Sequence, residues 1–271
     1  MSRTCLRLLE PVTLPVEADA LSPDRLAGLG QAEVAALPLL VGRRHRCVGD
    51  LFAVEGDGAP DILLEGDLGH VKRIGQGMTR GRIEIHGNVG MHLGCDMRGG
   101  EIHVHGDVGA WAAARMAGGT IWIHGNAGAM LGAPYSGEAR GMRGGIVVVE
   151  GNAGSRAGER MRRGLIVVGG DTGELAGARM IAGTIVVLGR LGGRPGAGMK
   201  RGTIVALGGL QDGLLPTFDY ACTYQPVFLR PYLRRLQAMG LPITQEHIDA
   251  LYRRIAGDAN TIGKGEILIH A

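Results

Sequence analysis

The sequence predicts an all-β fold: a parallel β-helix of about seven turns on a repeat of about 19 residues, followed by a C-terminal helical extension. Three observations carry that assignment. First, one phrase, roughly G-[ND]-x-G-x3-G-x2-M-x-x-G-x-I-x-V-x, opens at Gly66, Gly87, Gly106, Gly125, Gly151, Gly170, Gly189 and Gly208. The step is 19 residues in five of seven intervals, 21 in the first and 26 in the fourth, where Pro134–Arg140 (PYSGEAR) reads as a seven-residue insertion. A fixed short period marks a stacked architecture, in which each unit buries its apolar face against its neighbours. Second, the apolar residues align in columns: Ile83, Ile102, Ile121, Val147, Ile166, Ile185, Ile204, and two residues on Ile85, Val104, Ile123, Val149, Val168, Val187, Ala206. Alternation with period 2 puts both columns on one face of a strand. Third, each copy carries a methionine: Met78, Met97, Met116, Met142, Met161, Met180 and Met199. One per turn beside two aliphatic columns suits a flexible core filler at a corner better than a metal or redox ladder. At a strand spacing of about 4.8 Å, seven turns make a rod of roughly 34 Å.

Taken in order, the chain divides into N-terminal strands and short helices (1–49), the coil (50–210) and a C-terminal extension (211–271). Leu6–Glu10 and Val12–Val16 read as strands. Ser22-Pro23-Asp24 supplies an N-cap, a first-turn proline and an acidic residue for a short helix. Gln31–Leu37 is a second short helix stopped by Pro38, and Arg43–Arg46 (RRHR) reads as a solvated basic loop. Leu51–Glu55 and Ile62–Glu65 are the expected first strands of the coil. The repeats then place strands at Arg82–His86, Glu101–His105, Thr120–His124, Ile146–Glu150, Leu165–Gly169, Thr184–Leu188 and Thr203–Leu207. Glycine columns such as Gly94, Gly132, Gly158 and Gly177 mark corners that need positive φ or no Cβ. No GxGxxG opens a helix, so a nucleotide site is not indicated. Beyond Leu207, Phe218–Tyr224 and Pro226–Leu229 are extended and Arg230–Met239 is amphipathic. Thr244–Ile255 reads as a capped helix with Glu246 early and Arg253 and Arg254 late, agreeing with the helix dipole, and Glu266–His270 is a closing strand.

Composition narrows the function classes. A formal net charge of +3 does not suggest bulk nucleic-acid binding. Lys72, Lys200 and Lys264 are the only lysines against 26 arginines (29 basic residues less three), a bias of GC-rich bacterial genes. Cys5, Cys47, Cys95 and Cys222 lie far apart with no CxxC, which argues against a zinc knuckle or an iron–sulfur cluster. With no signal peptide they read as free thiols in a reducing compartment, the cytoplasm. No apolar run approaches the length of a membrane span.

The candidate chemistry is sparse. His86, His105 and His124 share one outward column, with His103 one column over beside Glu84 and Trp122. Imidazoles about 4.8 Å apart could share a metal, but no carboxylate partner that would orient them is legible. A hydrogen-bonded surface ladder is the plainer reading. Arg143, Arg160, Arg162, Arg163, Arg179, Lys200 and Arg201 gather on another corner and suit either a polyanion, an acidic partner or water. No Ser/His/Asp or Cys/His set has interpretable spacing. Glu84, Glu101, Asp107 and Glu150 fall in different columns, which argues against a pectinase-like β-helix enzyme, and the period is not that of a hexapeptide acyltransferase. From the fourth turn the outward strand residues also become apolar (Ile146, Val148, Leu165, Val167, Val186, Leu188, Val205, Leu207), the pattern of strands covered on both sides. The chain's own segment Phe218–Ile255 is expected to fold back on turns four to seven, leaving other subunits the remaining surface and the Pro134–Arg140 loop.

The repeat resembles the GxGxG β-helix at the C-terminus of the glutamate synthase large subunit. It is more closely similar to the C subunits of formylmethanofuran dehydrogenases and of the related bacterial formyltransferase/hydrolase complex. The residues that carry the likeness are Asp50-Leu51-Phe52, Val71-Lys72-Arg73-Ile74-Gly75, Ala157–Gly164, Met180–Gly183, Arg194–Thr203 (RPGAGMKRGT) and the tail Leu215–Leu229 (LPTFDYACTYQPVFL), spanning about Asp50 to Leu236. The resemblance implies a right-handed coil and a non-catalytic subunit with no cofactor of its own. It implies partners: a hydrolase-like subunit with zinc, a molybdopterin-type subunit and a formyltransferase subunit, acting on a methanofuran analogue. It further implies that the basic corner could meet a polyglutamate chain. The tail and the bacterial composition favour the hydrolytic complex, which moves formyl from tetrahydromethanopterin to a methanofuran analogue and releases formate. A molybdenum- or tungsten-dependent dehydrogenase, or a stand-alone β-helix enzyme, is the alternative.

Overall fold

A copy of 19 residues with one short strand carries more backbone N–H and C=O groups than it can pair within itself, so its bonds must go to the copies on either side. The computed structural model, which describes residues 3–271, shows where they go. The chain runs through β1 (Arg3–Leu8), β2 (Val16–Glu17), α1 (Pro23–Leu26), α2 (Gln31–Ala35), β3 (Pro38–Val41), β4 (Arg44–Cys47), α3 (Val48–Leu51), β5 (Phe52–Glu55), β6 (Asp61–Glu65) and β7 (Val71–Lys72). One strand per copy follows: β8 (Arg82–His86), β9 (Glu101–Val104), β10 (Thr120–Ile123), β11 (Ile146–Val149), β12 (Leu165–Val168), β13 (Thr184–Val187) and β14 (Arg201–Ala206). The tail adds β15 (Asp219–Tyr224), α4 (Leu229–Ala238), α5 (Gln245–Asp249), β16 (Tyr252–Gly257) and β17 (Lys264–His270).

The fold is mostly β. Among the described residues, 13 strands form one sheet in the order β15-β16-β17-β14-β13-β12-β11-β10-β9-β8-β6-β1-β5. From β6 to β14 each strand lies parallel to the next, and the register matches the sequence columns: Ile83 faces Ile102, Ile102 faces Ile121, Ile121 faces Val147. Two further ladders tie the copies together. Leu68, Val89, Val108, Ala127, Ala153 and Thr172 form a run of parallel bridges. At the next corner Gly94 donates its N–H to the Ile74 carbonyl, Ala113 to Leu93, and Gly132 to Ala112. The variable Asn/Asp of the repeat also has a structural task. The Asn88 side-chain oxygen accepts the Asp107 N–H at 3.0 Å, Asp107 accepts that of Asn126 at 2.7 Å, and Asn126 accepts that of Asn152 at 2.9 Å. The aliphatic and methionine columns are fully buried.

Glycine is required where copies approach most closely. At Gly94 (φ +58) a Cβ would lie 2.5 Å from Ile121 Cδ1, and at Gly119 (φ +90) 2.7 Å from Met97 Cε. Positive φ is not confined to glycine, however. Arg73, His92, Trp111, Met130, Arg156, Leu175 and Arg194 repeat it in one column, at φ 54 to 65.

Several elements differ from expectation. The helix expected over Thr244–Ile255 ends at Asp249, and Tyr252–Gly257 is β16, antiparallel to β17. Thr244 does cap α5, accepting the His247 N–H, but Tyr252 is buried against α4 and Ile255 in the core of the coil, and the two opposite faces of an extended strand serve both. Arg44–Cys47 forms the exposed outer strand of a hairpin with β3, not a loop. Leu51 belongs to α3, and β5 runs antiparallel to β1, which itself lies parallel to β6, so the parallel ladder begins at β1 and not at β5. The early strands are shifted: Leu6–Glu10 becomes Arg3–Leu8, and Val12–Val16 shrinks to Val16–Glu17. Pro226–Phe228 turn into α4 and are not extended. The tail strand β17 extends the ladder in parallel with β14. The apolar outer face of β11 to β14 is covered by the tail: Val148, Val167, Val186 and Val205 pack with Leu229, Leu233 and Leu236 of α4 and with Ile248 and Tyr252.

Candidate functional site

On the outer face of β8 to β10 the pleat that buries Ile83 and Ile85 turns Glu84 outward, opposite His103 of β9, which is opposite Trp122 of β10. His86, His105 and His124 follow at the ends of these strands, each one rung above the last. The ring centroids of His86 and His105 are 4.8 Å apart, edge to face, and those of His105 and His124 are 4.6 Å apart and stacked. Glu84 is the hub. Its Oε1 lies 3.2 Å from His86 Nε2 and 3.4 Å from His105 Nε2, while Arg3 Nη2 reaches its Oε2 at 2.5 Å. The carboxyl is lowered from its ordinary 4.5 to about 2, by the His86 hydrogen bond first, then by Arg3 and Arg82, against the opposing effect of partial burial. The His103 imidazole is lowered by burial and then by Arg82. His124 turns to another carboxylate: its Nδ1 is 2.9 Å from Glu150 Oε1, which also accepts the Trp122 indole N–H at 2.7 Å. The carboxylate partners that the sequence did not reveal are therefore present for all three histidines of the column.

The basic residues fall into three columns about the methionines, and the structure brings together only some of them. Arg160 and Arg179 share with Arg156 a cavity of about 230 Å³ roofed by the Pro134–Glu138 segment. Inside it the buried Glu159 carboxylate is 3.2 Å from Arg156 and 3.9 Å from Arg160, and Arg160 also donates to the Glu138 carbonyl at 3.2 Å. Arg143 lines a neighbouring cleft beside Asp96, Arg115, Glu138 and Arg140. Arg162, Arg163, Lys200 and Arg201 are exposed, and among the described residues they form no ion pair. No helix is long and apolar enough to cross a membrane among the described residues.

No protein-family profile matches the chain. Among curated proteins, it is 44% identical over 84 residues to the C subunit of molybdenum-containing formylmethanofuran dehydrogenase 1 of Methanothermobacter marburgensis, covering 30% of this chain and 21% of that one. It is 40% identical over 99 residues to the C subunit of tungsten-containing formylmethanofuran dehydrogenase 2 of the same organism, 35% of this chain and 37% of that one. With the C subunit of the formyltransferase/hydrolase complex of Methylorubrum extorquens it shares 39% over 82 residues, 30% of this chain and 31% of that one. These alignments thus span well under half of each curated relative. A crystal structure reaches further: a chain of the Methylorubrum extorquens formyltransferase/hydrolase complex, solved with methylofuran, superposes with a TM-score of 0.92 at 37% identity, covering 98% of this chain and 99% of that one. The chain belongs to the family of formylmethanofuran dehydrogenase C subunits.

In this member of the family a second cluster lies under the insertion, and sequence reasoning missed it. Tyr135 folds back across the rungs so that its hydroxyl meets His92 Nδ1 at 3.1 Å. The Arg115 guanidinium stacks 4.7 Å from the Tyr135 ring and pairs with both Asp96 and Glu138. His92 stacks on Trp111 with centroids 5.8 Å apart. Burial pushes the Tyr135 phenol up, and the Cys95 thiol beside it, while it lowers the His92 imidazole. The insertion itself was legible from its length. Its docking place was not, because Tyr135 and His92 are 43 residues apart and share no repeat position.

Proposed function

We propose that the chain is the structural, non-catalytic C subunit of a bacterial formyltransferase/hydrolase complex in formaldehyde oxidation. That complex moves formyl from tetrahydromethanopterin to a methanofuran analogue and releases formate. The observation that carries the reading is the end-to-end likeness, 98% of this chain on 99% of the other, to a chain of a formyltransferase/hydrolase complex crystallised with methylofuran. In this reading the repeats wind as a right-handed parallel β-helix between an N-terminal segment (1–49) and a C-terminal extension (211–271). The partners are a hydrolase-like subunit with zinc, a molybdopterin-type subunit and a formyltransferase subunit, and the setting is the cytoplasm. Arg160 and Arg179, with Arg143, Arg162, Arg163, Lys200 and Arg201 nearby, face an acidic partner surface or a polyglutamate chain. A lining of arginines around the buried carboxylate of Glu159 supports that choice.

The test is purification of the tagged chain from its native host. Co-purified subunits with formyltransferase and formate-releasing activity and no molybdenum or tungsten are expected. Stoichiometric molybdenum or tungsten in the purified complex would transfer the assignment to the molybdenum or tungsten dehydrogenases. Activity of the isolated chain on a formylated carrier would overturn the non-catalytic reading.

A further inference from the structure

The outward face of β8 and β9 carries a group that a scaffold does not require. One donor atom each from Glu84, His86 and His105 all lie within 4.8 Å of one another. Around a zinc-sized ion with ligand distances of about 2.0–2.1 Å, tetrahedral donors sit about 3.3–3.4 Å apart. The two distances from Glu84 Oε1, 3.2 Å and 3.4 Å, already match that edge. We propose that Glu84, His86 and His105 form a divalent transition-metal site of the zinc class, with the fourth position open to solvent. This goes beyond the assembly role above and does not depend on it.

The fold explains how the site is built. Parallel register places His86 and His105 at the same position of adjacent rungs, so their rings are a strand spacing apart without any loop to hold them. Glu84 shares a face with His86 two residues on, which brings its carboxylate to the same spot. The carboxylate is fixed from behind: Arg3 binds Oε2 at 2.5 Å and turns Oε1 toward the imidazoles, as outer partners orient metal ligands. Arg82, 3.7 Å from Oε2, adds a second positive charge, so the site favours imidazole-seeking ions over calcium or magnesium, which need several carboxylates. His124 stays outside, because it is not among the side chains whose donor atoms all lie within 4.8 Å of one another, and its Nδ1 pairs with Glu150 instead. The solvent-facing side of the site is open: the side chains of His86 and His105 are 50% and 43% exposed.

The experiment uses the full chain and cobalt(II) as a spectroscopic stand-in for zinc. One equivalent is expected to develop the visible ligand-field bands of a low-coordinate ion and to be displaced by zinc. His86→Ala, His105→Ala and Glu84→Gln are each expected to weaken binding by about tenfold or more, and His124→Ala to leave it unchanged. Because the histidines are exposed, their variants should still melt in one cooperative transition, lowered only by loss of the Glu84 contact, which separates loss of the site from loss of the fold. Affinity should also fall as pH is lowered, since protons compete for the imidazoles. No binding at one equivalent, binding retained in His105→Ala, or loss in His124→Ala equal to that in His86→Ala would each overturn the site.

Discussion

Single residues in this fold are under two different constraints, depending on which side of the strand they occupy. Ile121 sits between Ile102 and Val147 with no exposure. Ile121→Asp would put an unpaired charge in that core column, at several kcal/mol, and is expected to yield insoluble protein. Ile121→Val should fold and lose about 1 kcal/mol by denaturant titration. On the outer side, Glu84 is held ionised. Its carboxyl is lowered from 4.5 to about 2 in the folded chain, so the stability it contributes is full above 4.5 and is lost as pH falls through 2. A melting series from pH 6 to pH 2 should therefore fall more steeply in the parent than in Glu84→Gln. Equal slopes would mean that the His86 and Arg3 contacts do not persist in solution. The buried columns were legible at this scale because period and polarity specify them together. The carboxylate Glu84 was not, since its contact with His105 runs between different columns of neighbouring rungs, and Glu150, which continues the column of His124 on the next rung, was overlooked because there the histidine column changes residue type.

At the scale of elements, the tail shows what a repeat can and cannot announce. Apolar residues on both faces of β11 to β14 foretold a cover, and α4 provides it with Leu229, Leu233 and Leu236. The boundary inside the tail was misread, because Thr244 and Glu246 are good helix-start residues and say nothing of where the helix stops. What stops α5 is long-range: β16 has a partner strand on each side, β15 and β17, and Tyr252 anchors its start by donating to the His247 carbonyl at 2.6 Å. Truncation after Gly213 removes α4 together with β15 to β17. It exposes Val148, Val167, Val186 and Val205, and each of these valines returned to water costs about 2 kcal/mol. The truncated chain is expected to bind a hydrophobic dye strongly and to aggregate. A monomeric truncated rod without added dye binding would show that the tail is not needed as a cover.

At the scale of the whole molecule, the copies pair with their neighbours, apart from the insertion, whose Tyr135 reaches His92 two copies back, so stability is close to a sum of rungs while the distance between the two ends is set by their number. These two properties can be separated. Deleting Gly106–His124 removes one whole copy of 19 residues and joins His105 to Gly125, the same junction that His124 makes in the parent. The register is preserved by construction: Ile102 and Val104 would face Val147 and Val149, and Met97 would precede Met142. The buried members of the tail cover, from Val148 on, are all kept, and only Trp122 at its edge is lost. The insertion loses its Arg115 anchor, and that cost is local. The shortened chain is therefore expected to fold and to melt in one transition. Its N-terminal and C-terminal surfaces, however, come about 4.8 Å closer along the rod, one strand spacing. Under the assembly role proposed above, in which the chain bridges two partner subunits, the shortened chain is expected to bind each partner alone and to fail to hold them together. Size-exclusion chromatography of the reconstituted complex reads this directly. Full assembly and full formate release with the shortened chain would show that the rod's length has no part in its function.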